Sequence, residues 1–343
     1  MASKRILVIG GTGAQGFAVV RALLAASPSY TVRVLSRNPE SENTQKKFVG
    51  TDVELVKGSF MDFDSVERAL QGCYGVFVNT DGFTVKESDE IWAGIRIFEI
   101  AKRIPTLRHL VYSSIDYLLK LMDFDPKYGA HHMNAKGRVN EYLRSQPSST
   151  TENGLTWSIL VTGVYAEMLF GGLFAPVIQP DGTRVFALPL GNGHIPLETL
   201  SDLGAFALAM FQNREEWSGK TLNTVSHFAT GQEIAETLHC VAGIKAVYKP
   251  ITFDEWIAEI PFADAPVSAA DPEGITVKEN FRMWWPGLKE SILLKLETRD
   301  MELLRRVHPG IQSLEQWMRE TGYDGLPKPL LKGFIDNNIG PGF

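Results

Sequence analysis

The stretch VIGGTGAQG, residues 8–16, decides the fold of this chain. Its glycines at positions 10, 13 and 16 recur every three residues, directly after the apolar run ILVI at residues 6–9. The apolar run predicts a buried strand, and residues 15–26 predict an amphipathic helix with Phe17, Val20 and Leu24 on one face. Glycines between a strand and a helix let the backbone approach a pyrophosphate, which then rests on the helix N-terminus. The stretch therefore predicts a dinucleotide-binding loop, and the alternative is a glycine-rich turn needed only for close packing.

The composition is that of an ordinary globular protein, with 343 residues, 44% of them hydrophobic and 22% charged. A formal net charge of −6 argues against a nucleic-acid-binding surface, which is usually strongly basic. No apolar run approaches the roughly 20 residues of a membrane span, and the apolar stretch near the N-terminus is too short for a signal peptide. The two cysteines, Cys73 and Cys240, are expected to be small buried residues in a reducing compartment. We expect a cytoplasmic protein that binds neither nucleic acid nor a membrane.

The first half of the chain alternates short apolar runs with longer amphipathic stretches. The runs predict strands at residues 5–9, 30–35, 53–57, 75–79, 109–113 and 157–161. The stretches between them predict helices at residues 15–26, 64–70, 91–102 and 135–144. Apolar strands separated by helices are typical of a parallel sheet covered on both faces. The expected fold class is therefore α/β, with a Rossmann-like doubly wound parallel sheet.

The pattern loosens after about residue 162, where glycine, proline and aromatic residues become frequent. This change predicts two units, a nucleotide-binding domain over residues 1–165 and a smaller substrate-binding lobe over residues 166–343. Residues of about 195–230 are expected to cross back to the first domain. The polar stretch QPSSTTEN at residues 146–153 is interpreted as an exposed loop rather than a domain boundary.

The end of the second predicted strand indicates which cofactor the loop would take. An NAD-binding protein carries an acidic residue there for the ribose 2′-hydroxyl, whereas this chain has Ser36, Arg37 and Asn38. Arg37 can pair with a 2′-phosphate, so NADP(H) is preferred over NAD(H), and the alternative is a solvated surface arginine. Because ligands bind at the carboxyl ends of such strands, the predicted cofactor contacts are Gly10, Thr12, Gly13, Ala14, Gln15, Gly16, Arg37, Ser59, Phe60, Asn79, Thr80, Ser113, Lys136, Thr162 and Val164.

The helix predicted after the fifth strand carries the candidate catalytic residues. Short-chain dehydrogenases place a YxxxK pair there, and the tyrosine hydroxyl donates a proton. Lys136 matches the lysine, but His132 stands at the position of the tyrosine, and Tyr128 lies about two helical turns from Lys136.

Three interpretations of the missing tyrosine remain open. His132 or His131 could donate the proton, since an imidazole titrates near neutrality. Lys136 could act alone, or catalysis is lost and the protein only binds the nucleotide. A metal site on the two histidines is not expected, because adjacent helical side chains point about 100° apart and no third ligand is evident.

Several motifs of the chain resemble those of NmrA-like proteins, which are atypical short-chain dehydrogenase relatives similar to the isoflavone-reductase group. The motifs are GGTGAQG, SRNP, GVFVN, the helix with Lys136 and Gly137, GLTWSILVTGVYAEML and LETLSDLG. The resemblance is most specific over residues 5–205. It implies a Rossmann-like nucleotide domain with a small C-terminal lobe that closes over the nicotinamide. Members that keep the lysine without the tyrosine include NADP(H)-dependent reductases and redox-sensing regulators that bind a protein partner.

The favoured function is that of an NADP(H)-dependent oxidoreductase acting on a small carbonyl, enone or imine-like molecule. Lys136 and His132 are its predicted catalytic residues, and no metal is expected. The alternative is a catalytically inactive NADP(H)-sensing regulator that binds a protein partner, which the absent tyrosine favours. The substrate is expected to be apolar or aromatic, and the candidate pocket residues are Trp92, Met168, Leu169, Phe170, Phe174, Trp256, Phe262, Trp284 and Trp285.

Overall fold

The structure of the protein is a computed structural model that describes residues 4–28 and 30–328. Strands and helices alternate through the first half of the chain. In order they are β1 Arg5–Ile9, α1 Ala14–Ala25, β2 Thr31–Ser36, α2 Glu42–Lys47, β3 Glu54–Lys57, α3 Phe63–Leu70, β4 Gly75–Val78, α4 Glu87–Ala101, β5 His109–Ile115, α5 Leu118–Leu121, α6 His131–Arg144 and β6 Thr156–Thr162. A 3-10 turn at Pro126–Tyr128 precedes α6.

The second half is less regular and begins with a short strand and a 3-10 turn at Ala166–Leu169. Its elements are β7 Val164–Tyr165, β8 Val177–Ile178, β9 Arg184–Leu188, β10 Ile195–Glu198, α7 Leu200–Gln212, α8 Arg214–Trp217, β11 Lys220–Asn223, β12 His227–Ala229, α9 Gly231–Ala242, β13 Ala246–Pro250, α10 Phe253–Ala258, α11 Val277–Lys289, α12 Ile292–Lys295, α13 Met301–Val307 and α14 Leu314–Thr321. Within the described residues, no helix is both long and apolar enough to cross a membrane.

A seven-stranded sheet with the order β11-β6-β5-β4-β1-β2-β3 forms the centre of the molecule. All of its strand pairs are parallel. The order reverses at β1, which pairs with β2 on one side and with β4 on the other. Ligands bind at such a switch point, outside the carboxyl ends of the strands. The predicted Rossmann-like α/β fold class is confirmed.

In β1, apolar residues do not alternate with polar ones, because both faces of the strand are buried. Leu7 and Ile9 pack into one buried cluster, and Ile6 and Val8 pack into another. Successive side chains of a strand point to opposite faces, so both faces of the sheet are covered. Helices α3, α4 and α6 cover the first face, and α1 and α7 cover the second.

The segment of about 195–230 contributes two elements next to the central sheet. Helix α7 packs along α1, and β11 pairs with β6 as the outermost strand of the sheet. The same segment also supplies β10 and β12, which form a three-stranded sheet with β7 in the order β12-β10-β7. The C-terminal half further holds the sheet β13-β9-β8 and a separate aromatic cluster. The division into residues 1–165 and 166–343 stays a prediction, and residues 329–343 of the expected lobe lie outside the described residues.

Helix α6 begins at His131, four residues before its predicted start. The sequence gives no start signal there, because Ala130 at the N-cap position cannot accept a hydrogen bond with its side chain. The backbone N–H of His131 instead donates to Oδ1 of Asn280 at 2.9 Å. Asn280, which lies far away in the sequence, therefore supplies the hydrogen-bond acceptor for a backbone N–H at the start of this helix.

The predicted face of α1 packs against the core, because Val20 is buried and Phe17 and Leu24 are partly buried against the same cluster as Val19 and Leu23. One expectation about burial is wrong. Cys73 is buried as expected, but Cys240 is exposed on the outer face of α9. The polar stretch at residues 146–153 forms the loop between α6 and β6, as predicted.

Candidate functional site

A cleft of about 410 Å³ lies at the carboxyl edge of the central sheet. Residues of the C-terminal half, among them Met168, Phe281 and Trp284, form its opposite wall. The structure places on this cleft all the predicted cofactor and catalytic residues except Gly16, namely Gly10, Thr12, Gly13, Ala14, Gln15, Arg37, Ser59, Phe60, Asn79, Thr80, Ser113, His132, Lys136, Thr162 and Val164.

The glycines of the loop have three different roles. Gly10 has a φ of +82°, and a Cβ there would lie 2.8 Å from the carbonyl oxygen of Asn79. Gly16 faces away from the cleft, and its Cβ would lie 2.3 Å from the carbonyl oxygen of Gly10, so it packs the helix onto the loop. Gly13 borders the cleft, where a Cβ would meet only the Gly10 carbonyl oxygen at 3.3 Å. Gly10 and Gly16 are thus required by the fold, whereas Gly13 keeps the cleft wall free of a side chain.

The N-terminus of α1 is open toward the cleft. The helix starts after Gly13, has no side-chain cap and carries no acidic residue in its first turn. Among the described residues, the N–H groups of Ala14 and Gln15 have no acceptor in the chain. Unpaired N–H groups at a helix start bind anions. These donors, bordered by a glycine instead of a side chain, fit the pyrophosphate of a dinucleotide.

Two side-chain contacts hold the loop in place. Nε2 of Gln15 donates to Oγ of Ser113 at 2.7 Å in the buried interior, which joins α1 to the end of β5. Nζ of Lys47 donates to the carbonyl oxygen of Thr12 at 2.7 Å. The glycine loop is therefore held in place by contacts within the chain itself.

Arg37 lies exposed at the end of β2 and borders the cleft. Within residues 4–28 and 30–328 its guanidinium makes no hydrogen bond and no ion pair. Asp81, on the loop after β4, also lines the cleft. Burial raises the pKa of Asp81, while its bond from the Phe83 N–H and the charges of Lys136 and Arg37 act in the opposite direction. The guanidinium of Arg37 is free to pair with a phosphate.

Lys136 is held in a buried polar network. Its Nζ donates to the carbonyl oxygen of Thr80 at 2.8 Å and to Oγ1 of Thr80 at 2.9 Å. It also lies 2.9 Å from Oε1 of Glu90, a residue with 1% of its surface exposed. The Thr80 hydroxyl in turn donates to the same Glu90 oxygen at 2.6 Å. The ammonium group of Lys136 is therefore held at the cleft by two hydrogen bonds to Thr80 and by an ion pair with Glu90.

His132 lies in an aromatic part of the cleft wall. Its ring is stacked on Phe83 at 5.6 Å between centroids and lies 6.0 Å from Phe281 and 6.2 Å from Trp284. Burial lowers the pKa of His132 to about 4, and this effect is larger than the opposite effect of the Glu90 charge. The expectation that this imidazole titrates near neutrality is therefore wrong, because the aromatic surroundings disfavour its charged form.

Several predicted or alternative residues lie elsewhere. Of the nine candidate pocket residues only Met168 and Trp284 line the cleft. Trp92 is 55% exposed on α4, and the others belong to the C-terminal core, namely Leu169, Phe170, Phe174, Trp256, Phe262 and Trp285. Tyr128 does not line the cleft and donates its hydroxyl to Oε2 of Glu290 at 2.8 Å, so it does not replace the missing tyrosine.

Sequence reasoning missed five residues that shape the site. Asp81 and Phe83 lie just after the strand predicted at residues 75–79, and this position was a usable signal. No such signal marked Glu90, Asn280 and Phe281. A carboxylate, an amide and a phenyl ring within helices look like ordinary helix residues, and nothing in the sequence connects them to the site. In the part of the chain that the structure describes, no group of histidine, cysteine and carboxylate side chains could hold a metal ion.

The parallel sheet, the glycine loop after its first strand and the cleft at its carboxyl edge define a Rossmann-type α/β protein. The chain belongs to the NmrA-like family, whose profile matches residues 2–271. The NmrA-like family domain-containing oxidoreductase notA of Aspergillus sp. (strain MF297-2) is 30% identical over 280 residues, which is 76% of this chain and 79% of that protein. The family resemblance expected from the motifs is confirmed.

Solved structures share the fold over most of the chain. The negative transcriptional regulator NmrA in complex with NADP matches with a TM-score of 0.71 and 20% identity, covering 95% of this chain and 99% of that one. The NADPH-dependent quinone oxidoreductase QOR2 from Escherichia coli, complexed with NADPH, matches with a TM-score of 0.68 and 17% identity, covering 93% of this chain and 100% of that one. At these identities the likeness establishes the fold.

Proposed function

We propose that the protein is an NADP(H)-dependent oxidoreductase that reduces a small apolar carbonyl, enone or imine-like compound. The observation that carries this proposal is that the open helix start, Arg37, Lys136 and His132 all line one cleft. The oxidoreductase name of the relative notA and the NADP and NADPH in the two similar structures support the same function.

The cofactor would lie along the carboxyl edge of the sheet. The N–H groups of Ala14 and Gln15 would bind the pyrophosphate, and the free guanidinium of Arg37 would pair with the 2′-phosphate. When bound, NADPH supplies a hydride for transfer to the substrate. The chain itself would supply the orientation of the cofactor and the polar groups around the reacting atoms.

Lys136 and His132 would serve different purposes in this reaction. Lys136 is anchored to Thr80 and Glu90, so its role would be to hold a positive charge and a donor near the cofactor ribose. His132 is neutral at pH 7 and would donate a hydrogen bond to the substrate rather than a proton. The walls contributed by Phe83, Met168 and Trp284 favour an apolar, flat substrate.

The alternative of a regulator without catalysis is separated from this proposal by two measurements on the same preparation. Calorimetry first measures binding of NADPH and NADP⁺, so that a failure of binding is recognised. The loss of nicotinamide absorbance is then followed with a panel of aromatic ketones, enones and imines. We expect consumption of NADPH with members of the panel that is absent from Lys136→Met. Tight NADPH binding without turnover of any panel compound would contradict the proposal.

A further inference from the structure

Asn280, a residue of α11, contacts the start of α6 with both ends of its side-chain amide. It is fully buried. Its Oδ1 accepts the backbone N–H of His131 at 2.9 Å. Its Nδ2 lies 2.9 Å from Nδ1 of His132, whereas Oδ1 lies 3.3 Å from the same ring nitrogen. One amide therefore joins the C-terminal half of the chain to a histidine of the cleft.

The backbone contact fixes the orientation of this amide. A backbone N–H can only donate, so the atom of Asn280 that faces His131 must be the oxygen. The NH₂ group then faces His132, and because it can only donate, Nδ1 of the ring must accept. A neutral imidazole that accepts at Nδ1 carries its proton at Nε2.

The Nε2 atom of His132 is available to a ligand. It has no hydrogen-bond partner among the described residues. It is also absent from the described polar atoms that are both unpaired and shut off from solvent, so solvent can reach it. The ring borders the cleft. Glu90, His131 and Lys136 are the charged or titratable groups that act on it, and burial outweighs them, so the ring stays neutral.

We propose that Asn280 is a positioning residue, which holds His132 as the Nε2–H tautomer so that this N–H hydrogen-bonds to the oxygen or nitrogen of a substrate C=O or C=N group. This inference rests on the proposed function. When bound, NADPH would supply a hydride to the substrate carbon, the π pair would move to the oxygen or nitrogen, and that atom would take a proton from water. A preorganised N–H donor stabilises the negative charge that develops there. His132 is neither oxidised nor deprotonated in this step.

Imidazole ¹⁵N NMR of histidine-labelled protein with NADP⁺ bound tests the tautomer directly. The spectrum separates a protonated ring nitrogen from an unprotonated one, and His132→Gln assigns the signal. We expect the neutral Nε2–H form in the unmodified protein at pH 7. A neutral Nδ1–H form, or an even mixture of the two forms, would overturn the proposal. This test needs no substitution of Asn280.

Asn280→Asp tests whether this residue sets the tautomer. A carboxylate accepts from both the His131 N–H and the ring, so the proton of His132 should move to Nδ1. Asn223→Asp is the matched control, because Asn223 donates its amide to the Thr298 carbonyl oxygen and does not border the cleft. We expect kcat to fall by about tenfold or more in Asn280→Asp, with NADPH affinity unchanged.

The outcomes separate this proposal from the function on which it rests. An unchanged tautomer in Asn280→Asp, or a shifted tautomer with an unchanged kcat, would overturn the role of Asn280. If that variant does not fold, Asn280→Ser is measured instead, and the spectrum of the unmodified protein already decides the tautomer. Failure of the proposed function would appear differently, as absent turnover in the unmodified protein while the ring shows the expected Nε2–H form.

Discussion

Replacing Lys136 with methionine should destabilise the fold as well as remove turnover. The Lys136 side chain is 14% exposed and its partner Glu90 is 1% exposed, so the pair lies inside the protein. Methionine keeps the length of the side chain and removes its charge. Glu90 would then be a buried carboxylate whose remaining partner is the hydroxyl of Thr80 at 2.6 Å.

The size of the effect follows from this burial. Removing one member of a buried ion pair costs about 3–5 kcal/mol, because the other charge is left without compensation. The Thr80 bond remains, so we expect about 3 kcal/mol for Lys136→Met. Replacing both members removes the uncompensated charge, so Lys136→Met combined with Glu90→Gln should return to within about 1 kcal/mol of the unmodified protein. The double variant should remain inactive, because the ammonium group is still missing.

Urea unfolding followed by circular dichroism measures these differences. Lys46→Met is the matched control, because Lys46 pairs with Glu42 on the surface with 70% and 78% of the two side chains exposed. That change should hardly move the midpoint, since exposed pairs contribute little. The predicted cost of leaving Glu90 unpaired is refuted if Lys136→Met unfolds at the same urea concentration as the unmodified protein. It is also refuted if the double variant is no more stable than the single one.

Three further predictions concern the cofactor and the pH dependence of stability. Arg37→Ala should remove a preference for NADPH over NADH of at least about tenfold, or ~1.4 kcal/mol, in calorimetry, and equal affinities in the unmodified protein would argue against the 2′-phosphate contact. Gly13→Val should fold but should not bind NADPH, because the new Cβ meets only the Gly10 carbonyl oxygen at 3.3 Å and the side chain then occupies the cleft wall. Gly16→Ala should instead destabilise the fold, since its Cβ would lie 2.3 Å from the same oxygen. Normal NADPH binding by Gly13→Val would show that the loop is only structural. Burial raises the pKa of Glu198 from 4.5 to about 7, so its neutral form stabilises the fold at low pH and this contribution is lost as the pH rises from 4.5 through 7. Glu198→Gln should therefore gain stability relative to the unmodified protein between pH 5 and pH 8 in urea unfolding, and a difference that does not change with pH would contradict this pKa.

The sequence predicted the central sheet well because that information is local. A continuous apolar run such as residues 6–9 has few interpretations when glycines and an amphipathic helix follow it. The cofactor edge followed from the same logic, since the carboxyl ends of parallel strands meet at one edge of a sheet. These predictions needed no knowledge of contacts between distant parts of the chain.

The environment of His132 could not be predicted in this way. Its pKa is lowered by burial among aromatic rings from two distant segments, which are the loop after β4 with Phe83 and helix α11 with Phe281 and Trp284. The start of its helix also depends on Asn280, which lies 148 residues further along the chain. Such contacts leave no periodic pattern in the sequence, and the same holds for the partnership of Lys136 with Glu90.

Transfer of deuterium from NADPH labelled at C4 to a substrate would show hydride transfer by this protein. Each of the two C4-labelled forms is incubated with the protein and with a panel compound that consumes NADPH, and the product is analysed by mass spectrometry. We expect one of the two labelled forms to deliver deuterium to the former carbonyl, enone or imine carbon, and we expect no delivery by Lys136→Met. Products without deuterium from either form, or tight NADPH binding without reduction of any compound, would contradict the proposed reductase function.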